Sequence, residues 1–166
     1  MKHLPAWFLA LLFAGVFFAA PSVSASSSAE EEIIATLARF NAASTHGDIT
    51  EMKRLTSRSP EALAIGTSPD ERFVGYDAII AWWQGLFDFL ESVGYEDGGL
   101  PVVAAGTPLQ VGHKGSVGWI ASEATWQFAN GTVPFRISLV LEKEHGKWKI
   151  VQQHFSVGIG NDQLPL

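Results

Sequence analysis

Residues 115–157 read GSVGWIASEATWQFANGTVPFRISLVLEKEHGKWKIVQQHFSV, and the alternation in this stretch decides the fold. Successive side chains of an extended chain point to opposite faces. Val117, Trp119, Ala121, Glu123, Thr125 and Gln127 therefore fall on one side, and Gly118, Ile120, Ser122, Ala124, Trp126 and Phe128 on the other. After the next turn, Val133, Phe135, Ile137, Leu139 and Leu141 form an apolar face against Thr132, Pro134, Arg136, Ser138 and Val140. The period of two begins after Leu100 and predicts strands near 101–112, 115–129, 132–144 and 147–157. Between them lie Gly112-His113-Lys114-Gly115, Asn130-Gly131 and His145-Gly146, tight glycine-containing turns that join consecutive strands as antiparallel hairpins.

Upstream of Leu100 the period is helical. Ser28-x-x-Glu31 has the form of a capping box, with Glu30, Glu31 and Glu32 where a helix N-terminus favours negative charge. Ile33, Ile34, Leu37 and Phe40 make a buried stripe that Gly47 ends. Asp48-x-x-Glu51 opens a short second helix through Met52 and Leu55, and the Ser57 to Pro60 cluster closes it. Ala62 to Gly66 reads as a short strand and Ser68-Pro69-Asp70-Glu71 as a turn. A third helix follows over Asp77 to Glu91, with Ile79, Ile80, Trp83, Leu86, Phe87 and Leu90 on one broad face. Helices segregated from an antiparallel meander give the α+β class.

With 166 residues, 47% of them apolar, the chain has enough sequence for one core. The absence of cysteine rules out disulfides and thiolate chemistry. A net charge of −6 argues against a nucleic-acid partner, which would require a concentrated basic surface. Lys2 and His3, the apolar run Ala6 to Ala20, Pro21 and Ser22-Val23-Ser24-Ala25 follow the order of a secretory signal peptide, with cleavage expected after Ala25. That run falls short of the roughly 18 to 20 residues a membrane-spanning helix needs, so the mature protein is expected to be periplasmic or secreted and free of the membrane. The expected organisation is a signal peptide (1–25), a linker (26–28), one domain (29–160) and a C-terminal tail (161–166).

Three segments carry a family likeness: Ile65 to Glu71 with Gly75-Tyr76-Asp77-Ala78-Ile79, then Arg136 to Leu141, then Gly146 to Ser156. Together with the element order they resemble the SnoaL-like branch of the nuclear-transport-factor-2-like superfamily, which includes ketosteroid isomerases and scytalone dehydratases. The likeness spans about residues 29–160. It implies a cone: a curved, mostly antiparallel sheet wrapped around three N-terminal helices in a cystatin-like α+β barrel, with a pocket at the open end. Homodimers are common in such a family. Ketosteroid isomerases work with an aspartate base, a tyrosine and a protonated aspartic acid. This chain departs from that set, because Tyr76 and Tyr95 flank the third helix and no aspartate occurs in 101–129.

Strict alternation along 147–157 puts Trp148, Ile150, Gln152, His154 and Ser156 on one face, expected to be concave, with Lys149, Val151, Gln153, Phe155 and Val157 opposite. His154 is then the candidate proton carrier, since imidazole exchanges protons near neutral pH; the alternative is a hydrogen-bonded core histidine. Arg136 offers a planar fork to an acidic ligand, or else pairs with Glu123, the single acid inside a central strand. Asp70 and Glu71 sit where the resemblance implies part of the pocket rim, and Asp70 is kept as a catalytic candidate, although turn formation already accounts for both. Trp82, Trp83, Trp119, Trp148, Gln152 and Ser156 are the candidate ligand contacts, flat aromatic surface with polar groups toward a mouth. The 115–129 face bearing Ile120, Trp126 and Phe128 is too apolar for water, which is the argument for a homodimer through the outer sheet.

No metal or cofactor is expected. His46, His113, His145 and His154 lie in separate elements, and neither a phosphate-cradling glycine loop nor a serine nucleophile elbow occurs. Three readings stay open: a protein that binds a small, largely apolar molecule, a cofactor-free acid–base isomerase or dehydratase, and an interaction module with a closed cavity. A pocket holding His154 and a carboxylate would favour the enzyme, and an aromatic pocket would favour binding.

Overall fold

The computed structural model describes residues 28–95, 98–104, 108–158 and 160. The signal peptide with its cleavage site at Ala25, the first linker residues and the tail 161–166 lie outside the described residues.

Three helices precede the main sheet: α1 (Ala29–Thr45), α2 (Ile49–Leu55) and α3 (Tyr76–Ser92). The caps form as the local chemistry requires. Ser28 accepts from the Glu31 N–H while the Glu31 carboxylate accepts from the Ser28 N–H, a reciprocal box that satisfies two orphan donors. Asp48 caps α2 one way, its carboxylate accepting from the Glu51 N–H at 2.9 Å.

Between α2 and α3 run two three-residue strands, β1 (Leu63–Ile65) and β2 (Arg72–Val74), where the sequence pattern indicated one. After α3 come β3 (Val102–Ala104), β4 (Gln110–Lys114), β5 (Val117–Phe128), β6 (Gly131–Glu144) and β7 (Lys147–Ser156). The expected strand 101–112 is thus two short ones. The turn expected at Gly112 to Gly115 falls at Gly115-Ser116, because Gly112 sits in the strand beneath Trp119, where a Cβ would lie 2.7 Å from the indole. At His145-Gly146 both residues have positive φ, 48° and 79°, as a tight hairpin turn between β6 and β7 requires.

The sheet order is β2-β1-β7-β6-β5-β3, with β4 also pairing β5. All pairs are antiparallel except β1 with β7, so the sheet is mixed, and it is not closed. Its inner face packs on the helices. Ile120 and Ala124 of β5, Phe135, Ile137, Leu139 and Leu141 of β6, and Trp148 and Ile150 of β7 are buried against Ile33, Leu37 and Phe40 of α1 and Ile79, Trp83 and Phe87 of α3. At the closed end, Glu32 accepts hydrogen bonds from Lys143 Nζ at 2.8 Å and Trp148 Nε1 at 2.9 Å, tying α1 to β6 and β7.

One irregularity changes the reading of β7. Val140 pairs with Gln152, but Leu141 pairs with Ile150, so Val151 is a bulge residue without a partner. Trp148 and Ile150 face inward; beyond the bulge the inward residues are Gln153 and Phe155. The expectation that Gln152, His154 and Ser156 share the concave face with Trp148 is corrected accordingly, because one extra residue moves everything beyond it to the opposite side.

Candidate functional site

The open end of the cone holds a cavity of about 190 Å3. Each wall is supplied by a different element. Phe40 comes from α1, where the 3.6-residue period carries it inward, and Trp82, Trp83 and Leu86 come from α3. Trp126 and Phe128 of β5, Phe135 of β6 and Phe155 of β7 complete the sheet side, with Leu100 and Val102 leading into β3. The aromatic side chains hold one another in place. Trp126 stacks on Phe135 with ring centroids 4.0 Å apart, Phe40 meets Trp83 edge-on at 5.6 Å, and Phe73 of β2 backs Trp82 at 5.0 Å.

Four polar residues also line the cavity: Asn41, buried Ser44, Thr67 and Glu71. Glu71 is half-buried, its Oε2 accepting from the Ser68 N–H at 2.9 Å. Its carboxylate lies against Gly66, where a Cβ would come within 2.1 Å of Oε2, so glycine is required for this approach. Among the described residues no histidine, lysine or arginine lines the cavity, and Glu71 is the one acidic residue that does.

The sequence candidates divide by face. Trp82 and Trp83 line the cavity. Trp148 is buried at the closed end, where its indole N–H is taken by Glu32. Trp119 lies on the outer face at 40% exposure, while Ile120, Trp126 and Phe128, expected to face a partner, face inward. Gln152, His154 and Ser156 are half-buried on the outer side. Cross-strand pairing lays out that surface in rows: Trp119, Val140, Gln152 and Leu63; then Ala121, Ser138, His154 and Ile65; then Glu123, Arg136 and Ser156.

Three proposed chemical groups, Glu123, Arg136 and His154, therefore do lie together, but outside the cone. Arg136 and Glu123 stand 3.9 Å apart and well exposed, in a depression of about 490 Å3 that neither His154 nor Asp70 lines. A pair in that setting contributes about 0–1 kcal/mol. Asp70 is exposed in its turn; the next residue, Glu71, is the one that reaches the cavity. The sequence did contain a sign of the inward switch in β7: Ile150 and Phe155 have opposite parity, which two core residues of one strand cannot share without a bulge.

The model of the SnoaL-like domain family matches residues 33–160. The chain belongs to the SnoaL-like family. Solved structures similar to this SnoaL-like domain include an NTF-2-like protein of unknown function from Shewanella oneidensis (17% identity, TM-score 0.61, covering 76% of this chain and 97% of that one). A putative ketosteroid isomerase from Parabacteroides distasonis aligns at 14% identity and TM-score 0.61, over 79% and 89% of the two chains. A cystatin-like-fold protein of unknown function from Nostoc punctiforme aligns at 14% and 0.61, over 81% and 92%. At these identities the likeness establishes the cone fold and no reaction. No curated protein matches the sequence.

Proposed function

We propose that this SnoaL-like domain is an exported protein that binds a small, largely apolar, ring-bearing molecule in its cone. The observation that carries the reading is the wall composition: among the described residues seven aromatic side chains line the cavity against a single acidic one, Glu71. Such a lining gains free energy from apolar burial and ring contacts and supplies no acid–base pair. The isomerase reading through His154 loses its support, since the imidazole sits on the outer face. Export rests on the order Lys2, Ala6 to Ala20 and Ala25.

Native mass spectrometry of the protein purified from its own host tests this. A retained small molecule is expected, and Leu86→Trp, which fills the cavity from α3, is expected to release it while the protein stays folded. Absence of any bound molecule, together with no change in tryptophan emission on titration with ring compounds, would overturn the reading.

A further inference from the structure

Glu71 brings a negative charge to the cavity lining, and among the described residues no basic side chain there answers it. It takes part in none of the ion pairs found among those residues. Its half-buried carboxylate accepts one hydrogen bond, from the Ser68 N–H to Oε2 at 2.9 Å, which leaves Oε1 without a partner among the described residues. A carboxylate partly removed from water and met by a single N–H keeps a desolvation cost that a cation offsets.

The rings of the wall favour the same sign of charge. The face of an aromatic ring is negative and attracts a cation held within about 6 Å of its centre. Among the described residues the chain's own cations lie over rings elsewhere, Arg58 over Tyr76 at 4.6 Å and Lys143 over Trp148 at 5.3 Å, and none lies over the seven rings of the cavity. α1 adds two neutral polar side chains, Asn41 and Ser44, on the face that also carries Phe40 into the wall. Ser44 is 4% exposed. The backbone carbonyls of Asn41 and Ser44 accept from Thr45 Oγ1 and the Leu100 N–H, but neither side chain has a hydrogen-bond partner among the described residues. An ammonium group, which carries donors and no acceptor, suits a carboxylate, a hydroxyl and an amide oxygen alike, whereas an anionic ligand would meet like charge at Glu71.

Resting on the binding reading above, we propose that the ligand is an organic ammonium compound with one aromatic ring, its cationic nitrogen set against the Glu71 carboxylate and its ring within the aromatic wall. The size fits: a cavity of roughly 150 Å3 lined by apolar side chains takes one benzene ring, and this one is about 190 Å3. Benzylammonium, benzyl alcohol and ethylbenzene, nearly equal in shape, separate charge from hydrogen bonding and from burial. Isothermal titration at low ionic strength is expected to show benzylammonium binding about tenfold tighter than either neutral probe. Glu71→Gln, which keeps the side chain's size and an oxygen for the Ser68 N–H, should erase that advantage, and Leu86→Trp should abolish binding of all three. Should the Glu71 variant fail to fold, Leu86→Trp decides the matter, because a cation held elsewhere on this acidic protein would stay bound. Benzylammonium binding no tighter than ethylbenzene overturns this inference and leaves the cavity reading intact, as does an advantage that survives either substitution. Binding of none of the three overturns both.

Discussion

Gly66 and Glu71 show how one missing methyl group shapes the edge of the cavity. An alanine at 66 would place its Cβ 2.1 Å from Glu71 Oε2, 2.7 Å from the carboxyl carbon and 2.8 Å from the Glu71 Cβ. The carboxylate would have to leave, and the Ser68 N–H would lose its acceptor. Gly66→Ala is expected to destabilise the protein by about 1.5–3 kcal/mol, the usual scale for losing a hydrogen bond to a charged group. In a Glu71→Gly background the same change should cost less than about 0.5 kcal/mol, because the obstructing atoms are gone. Urea denaturation of the four proteins closes the cycle. Equal costs in both backgrounds would mean that Gly66 serves the backbone and not the glutamate. Asp70 and Glu71 were legible as a turn at the rim that the family resemblance implies, but nothing in the sequence says which of two adjacent turn carboxylates reaches the cavity.

At the scale of elements, the helices were readable because their signals are local: Ser28 with Glu31 and Asp48 with Glu51 cap where their spacing says they should. The β5 and β6 faces were readable for the same reason, a strict period over more than ten residues. Besides the division of 101–112 into β3 and β4, two features escaped. β2 comprises just Arg72, Phe73 and Val74, too short for alternation to register, and it exists because Ala64 pairs with Phe73 across a chain reversal. The Val151 bulge escaped because a period-two reading assumes what the bulge breaks, and with it went the placement of Gln152, His154 and Ser156. Deleting Val151 tests how much depends on it. Because Val140 pairs with Gln152 and Leu141 with Ile150, removing Val151 makes the pairing continuous and leaves Gln153 and Phe155 facing inward. The deletion variant is therefore expected to fold cooperatively, with a near-ultraviolet circular-dichroism spectrum like that of the unaltered protein. A deletion variant without cooperative unfolding would show that the local bend of the bulge, and not only the parity it sets, holds β7 in place.

For the molecule as a whole, the outer sheet surface is the part the cavity leaves unused. With Ile120, Trp126 and Phe128 turned inward, the case for a dimer shifts to Trp119 and Val117, 40% and 42% exposed, beside half-buried Val140, Leu63 and Ile65. We propose that this surface meets a second copy across a two-fold axis. Such an interface is self-complementary, so the loosely paired, exposed Glu123 and Arg136 of one protomer can face Arg136 and Glu123 of the other. A stable pair requires about 1,000 Å2 or more of buried surface, more than Trp119 alone supplies but within reach of the three rows of outward side chains. Trp119→Lys replaces the largest exposed apolar side chain of that surface with a charge and, because the position is exposed, should shift Tm by only a few degrees. Sedimentation velocity at tens of micromolar is expected to give a dimer for the unaltered protein and a monomer for the variant. A monomer in both, or a dimer in both, would mean that the outer face serves another purpose. Ligand titration of the monomeric variant would then show whether the cavity works without its neighbour, and unchanged affinity is expected, since the outer sheet surface and the cavity lie on opposite faces of the sheet.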